Sequence, residues 1–112
     1  MKKYSEKRPW GKFERFCLNE LCSVKLLFIE SGEELSLQRH KNRSEFWRIV
    51  RGKGEITVGD EIKKAKRGDE FFITQNVEHM AKAGEKTLEI LEISFGNFDE
   101  EDEIRLKDKY KR

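Results

Sequence analysis

The chain has 112 residues, room for one small domain with one compact core, so no repeat array, second catalytic module or tethered nucleotide-binding domain is expected within it. Lys and Arg number 24 and Asp and Glu 22, so a chain that is 41% charged balances to +2, against the one-signed basic excess of a dedicated nucleic-acid binder. Uncharged runs are short and no apolar segment follows the first eight residues, so no membrane span and no secretory leader is expected, and the protein is expected to be soluble and cytoplasmic.

In chain order, Arg8-Pro9-Trp10-Gly11 opens the fold with the one proline of the sequence. Cys17 and Cys22 are too few for a disulfide framework and match no common zinc-ribbon spacing; reduced structural thiols are expected, with a strained hairpin disulfide as the alternative. Six segments rich in β-branched and aromatic residues read as strands: 23–29, 35–40, 45–50, 54–58, 70–73 and 87–94. Between them recur turn signals, Ser31-Gly32, Arg51-Gly52-Lys53-Gly54, Gly59-Asp60, Arg67-Gly68-Asp69 and Ala83-Gly84, and Val58 to Ile62 reads as a tight hairpin. No helical period is sustained between residues 20 and 95, so the chain is expected to be all-β, a sandwich or barrel. The segment 99–112 differs: acidic residues come first and basic ones last, which favours a short external helix through its dipole, the alternative being a solvated charged tail.

The two histidines, His40 and His79, carry the chemistry. Gln38 and His40 stand two apart, and the period of a strand points both to one face. Glu45 follows across the polar turn Lys41-Asn42-Arg43-Ser44 and can fold back beside His40; His79 begins a later strand and can supply a fourth group. Two imidazoles, one carboxylate and one amide oxygen suit a divalent cation with positions left open, a Lewis acid for a carbonyl. Taken singly, each histidine equally suits a hydrogen-bonded core or surface residue.

The spacing Gly32-x5-Gln38-x-His40-x4-Glu45-x6-Gly52 resembles the first cupin motif, with Gln38 where many cupins carry a histidine, and Gly68-x5-Thr74-x-Asn76-x2-His79 resembles the second, with Thr74 and Asn76 in place of the usual proline and glycine. Together with Arg8-Pro9-Trp10-Gly11, residues 35–40, Arg43-Ser44-Glu45-Phe46-Trp47 and the closing Glu101 to Arg105 with Asp108, Tyr110 and Arg112, the sequence over residues 8–112 is similar to the C-terminal cupin domain of type II mannose-6-phosphate isomerases, which often follows a guanylyltransferase domain. The chain departs from that pattern at Lys41, Asn42 and Phe46, where the family has histidines, and in Tyr110-Lys111-Arg112, where it has Tyr-Gly-Arg.

The resemblance implies a single cupin domain over 1–112 with its core at about 8–98, a jelly-roll barrel. It implies a divalent metal held by Gln38, His40, Glu45 and His79, with zinc, manganese, iron, cobalt and nickel not distinguished. It further implies interconversion of mannose 6-phosphate and fructose 6-phosphate, with Glu45 as the one carboxylate at the metal; Glu34, Glu78 and Lys41 are other candidates for the base by proximity in sequence alone. Arg43, Arg105, Arg39 and Lys41 are the candidate contacts for the sugar phosphate. Trp10 and Trp47 are expected to fill the barrel, Phe71 and Phe72 to serve the core or the face of a homodimer, and nucleotidyl transfer is not expected. A non-catalytic cupin that binds a sugar, and another metal-dependent cupin enzyme such as an oxygenase, are the competing readings.

Overall fold

A computed structural model describes residues 1–97 and 99–107. Its strands are β1 (Tyr4–Arg8), β2 (Gly11–Arg15), β3 (Cys22–Ile29), β4 (Leu37–His40), β5 (Ser44–Arg51), β6 (Lys53–Val58), β7 (Glu61–Lys66), β8 (Glu70–Ile73), β9 (His79–Ala83), β10 (Leu88–Phe95) and β11 (Glu103–Lys107). The fold is all-β, with one 3-10 turn at Glu100–Asp102 as its helical element among the described residues. No described helix is long and apolar enough to cross a membrane.

Two antiparallel sheets face each other as a jelly roll, one in the order β3-β10-β5-β8 and the other β11-β4-β9-β6-β7, with the β1–β2 hairpin as a separate ribbon. The register follows from side-chain parity. Trp47 and Ile49 of β5, Leu88 and Ile90 of β10 and Ile73 of β8 point inward from the first sheet, and Ile56, Ala65, Ala81 and Ala83 meet them from the second. Burial of these apolar faces, about 25 cal/mol per Å², is the main favourable term of the fold. Beneath one mouth the same inward parity changes chemistry. Glu45 heads the inward row of β5, and Glu92 and Ser94 continue the inward row of β10, all three buried.

The hairpin is fixed to the outside of the first sheet by charge and by one ring contact. Lys3 bridges Glu14 and Glu70 at 2.9 Å each, Arg48 bridges the same two carboxylates at 3.3 and 2.6 Å, and Phe16 packs 5.1 Å from the ring of Phe46. Four charges in alternation are worth more than isolated surface pairs, although their partial exposure keeps each contribution small. Pro9 and Trp10 form the hairpin's turn, so Trp10 is 72% exposed instead of filling the barrel, whereas Trp47 is 1% exposed in the core. Phe71 packs against the core and Phe72, on the opposite parity, is exposed. The cysteines are free thiols, their sulfurs 3.6 Å apart.

The helix expected over the carboxyl-terminal segment is replaced by the 3-10 turn and β11, which pairs with β4. The alternation Glu103-Ile104-Arg105-Leu106 has the period of a strand, and the edge of β4 offers it a ladder of backbone partners that a solvated helix would leave open. Asp108, Lys109, Tyr110, Lys111 and Arg112 lie outside the described residues.

Close backbone approach makes glycine indispensable at positions 52 and 54. A β-carbon added to Gly54 would lie 2.1 Å from the Lys82 carbonyl oxygen on the neighbouring strand, whereas one added to Gly32, at φ +74°, would meet nothing within 4 Å. Gly54→Ala is expected to lower the unfolding free energy by about 3 kcal/mol, and Gly32→Ala, which meets only backbone strain, by about 1 kcal/mol. Urea unfolding of the two variants side by side tests this; equal losses would contradict it.

Candidate metal centre

The strand ends converge at one mouth of the barrel. His40 ends β4, His79 begins β9, and Glu45 stands near the start of β5 in the facing sheet. Their ligand atoms all lie within 4.8 Å of one another, and all three residues are buried. Glu45 Oε1 is 3.2 Å from His79 Nε2 and Glu45 Oε2 is 3.8 Å from His40 Nε2. The rings of His40 and His79 stand 5.1 Å apart, and Trp47 presents its edge to His79 at 5.5 Å.

Both imidazoles are oriented by backbone oxygens. His40 Nδ1 lies 3.2 Å from the Asp102 carbonyl and His79 Nδ1 lies 2.9 Å from the Val77 carbonyl. A carbonyl only accepts, so each Nδ1 carries a proton, and the neutral ring leaves each Nε2 a lone pair on the side of Glu45. With His79 neutral, its Nε2 and Glu45 Oε1 face each other as two acceptors, and neither has a hydrogen-bond partner although both are buried. Two unpartnered acceptors, with ring nitrogens fixed by carbonyls behind them, are the donor set of a divalent-metal site. His40, Glu45 and His79 therefore fit such an ion.

Asp102 was not legible as a site residue. Its carboxylate accepts from the backbone N–H groups of Asn42 at 2.8 Å and Lys41 at 3.0 Å, and these bonds hold its carboxyl below the ordinary 3.8. One residue thus clamps both the His40 ring and the turn that follows it.

The electrostatics of the mouth depend on two buried glutamates. Burial alone would raise the Glu45 carboxyl, but His79, His40 and Arg43 outweigh it and hold the group below its ordinary value. Burial, then the charge of Glu45, pushes Glu92 up from 4.5. Glu92 accepts from Trp47 Nε1 at 3.2 Å, and the Ser94 hydroxyl lies 3.2 Å from Glu45 Oε2 and 3.4 Å from Glu92 Oε1. For His40, burial leads the downward shift; the charge of Glu45 opposes it and that of Arg43 adds to it.

The other sequence-derived candidates fall into three places. Gln38 shares the inward face of His40, is the register partner of His79, and donates its amide to the Ser36 carbonyl at 3.3 Å. Arg105 stands opposite Gln38 on β11, exposed and bonded to Glu103; Lys41 is exposed in the turn. Arg43 is neither a surface charge nor a rim group: it is 5% exposed and turned onto Glu45 and His40. Arg39, on the opposite parity of β4, and Glu78, exposed beside His79, point away from the cluster, and Glu34 pairs with Lys82 in an isolated bridge.

Residues 2–108 match the family model described as Mannose-6-phosphate isomerase C-terminal. The chain belongs to this family. It is 36% identical over 107 residues to a mannose-1-phosphate guanylyltransferase of Salmonella montevideo, and 35% identical to the xanthan biosynthesis protein XanB of Xanthomonas campestris pv. campestris (strain B100), covering 94% of this chain and 23% of each relative. The chain thus spans about a quarter of the length of these curated relatives. Among solved structures it resembles a cupin-2 domain protein from Rhodospirillum rubrum (17% identity, TM-score 0.70, 96% of this chain and 76% of that one) and oxalate decarboxylase from Bacillus subtilis (24% identity, TM-score 0.70, 78% and 24%). These likenesses show the cupin fold for this member of the isomerase C-terminal family.

The raised Glu92 carboxyl has a measurable sign. The unfolded chain releases this proton near 4.5 while the folded chain holds it to higher pH, so Glu92 costs stability progressively as pH rises above 4.5. Glu92→Gln keeps an acceptor for Trp47 without the charge. Its melting temperature is expected to exceed that of the parent at pH 7, with the difference vanishing toward pH 4; a pH series of thermal melts decides it.

Proposed function

We propose that this cupin domain is a metal-dependent sugar-phosphate isomerase that interconverts mannose 6-phosphate and fructose 6-phosphate. The observation that carries this reading is the convergence of His40, Glu45 and His79, with both Nε2 atoms turned inward, in a barrel of the mannose-6-phosphate isomerase C-terminal family. A divalent ion, once bound by these three side chains with Gln38 beside them, supplies Lewis-acid stabilisation of negative charge developing on sugar oxygens.

The chain's own groups cover the other tasks. The Ser94 hydroxyl has one proton and two carboxylate neighbours, Glu45 Oε2 and Glu92 Oε1, so the array stays bonded when Glu92 holds a proton and Glu45 is ionised. Glu45 is then the base nearest the sugar, with Glu92 and Ser94 as its route for proton exchange. The phosphate falls to the exposed cations at the mouth, Arg105 and Lys41, since Arg43 is engaged inside. The departures from the family pattern lie away from the cluster: Lys41 and Asn42 are exposed in the turn, and Phe46 packs outward on Phe16. We also assign a homodimer, formed through the exposed Val24, Leu26 and Phe28 on the outer face of edge strand β3.

A coupled assay for fructose 6-phosphate formed from mannose 6-phosphate tests the reading. Chelator-stripped protein is expected to be inactive and to recover on addition of a divalent ion. His79→Ala is expected to lower kcat/KM by about a thousandfold, the scale of a few kcal/mol of transition-state stabilisation, with its circular dichroism unchanged. Bound metal without turnover would leave a sugar-binding cupin, and oxygen consumption with bound iron would leave an oxygenase.

A further inference from the structure

Half of the cluster already has a cation. Arg43 Nε donates to Glu45 Oε2 at 3.2 Å, its Nη2 lies 3.2 Å from His40 Nε2, and its Nη1 donates to the Asp99 carbonyl at 3.2 Å. Because His40 Nδ1 carries the ring proton, Nε2 has a single in-plane lone pair, and Arg43 takes it. That lone pair cannot serve a guanidinium N–H and a metal ion together. The other half of the cluster, His79 Nε2 and Glu45 Oε1, has no hydrogen-bond partner. The two halves therefore differ in readiness to receive an ion.

We propose that Arg43 is a displaceable internal counter-ion of the metal site. It neutralises Glu45 and holds His40 in the metal-free protein, and a divalent ion that enters on the side of His79 and Glu45 Oε1 reaches His40 Nε2 only as Arg43 gives it up. A buried guanidinium and a divalent ion within a few ångströms of the same nitrogen also repel in a medium that screens poorly. Arg43 thus lowers metal affinity while it stabilises the empty site. A residue that supported the bound ion from behind would have the opposite effect on affinity, which separates the two roles. This inference rests on the metal-site reading above.

The test is titration of zinc or manganese ion into the chelator-stripped full chain by calorimetry, for the parent, Arg43→Gln, Arg43→Lys and His79→Ala. Arg43→Gln is expected to bind metal at least about tenfold more tightly, about 1.4 kcal/mol. Its metal-free form is expected to melt lower than the parent, with the gap closing on saturation. Arg43→Lys keeps a positive charge without the planar fork, guards against a folding defect, and is expected to lie between the two. Unchanged or weaker affinity in both Arg43 variants, with the parent binding and His79→Ala not binding, overturns the counter-ion role and leaves the metal site standing. Absence of binding in parent and variants alike overturns both.

Discussion

A carboxylate held ionised while 2% exposed is expensive: removing such a group from water costs several kcal/mol unless cations and hydrogen-bond donors replace the lost hydration. Glu45 meets that condition through Arg43 and Ser94, and much of the architecture at the mouth follows from supplying them. The three-residue turn between β4 and β5 returns the chain so that His40, Arg43 and Glu45 share one interior. The two facing sheets bring Ser94 from β10 and His79 from β9 to the same carboxylate. A flatter sheet would leave these groups on one plane with water between them.

Much of this was legible from spacing. Gln38 and His40 two apart, the polar turn before Glu45, and His79 at the opening of a strand all translate directly into parity and position. Glu92 carried a signal of the same kind: Leu88, Ile90, Glu92 and Ser94 share one parity, so a strand whose first inward residues are apolar must bury the next two as well. What sequence could not give was the direction of Arg43, because a residue in a turn has no fixed parity, nor the partner of the His40 ring, because Asp102 comes from a segment whose acidic run imitates a helix start. Trp10 shows the limit of composition: a large aromatic beside a proline reads as core, yet the hairpin turn places it in solvent.

The pair of glutamates divides its work by environment. The same depth of burial leaves Glu45 ionised and favours the proton on Glu92, because three cationic or imidazole groups face the first and the second meets an indole N–H and the negative charge of its neighbour. One hydroxyl, that of Ser94, joins the two carboxyl groups, and all three are buried. Below this pair the interior of the cupin barrel is apolar, so no other polar group competes for the two carboxyls from the core cluster.

The hydrogen bond from His40 to Asp102 spans 62 residues, and both the bond and the pairing of β4 with β11 join the middle of the chain to its late part. Contacts of such separation form slowly, since the intervening chain must be ordered before they contribute. During synthesis, His40 and Glu45 emerge from the ribosome well before the segment that orients the ring, so the nascent barrel passes through a stage with an unaligned ligand set.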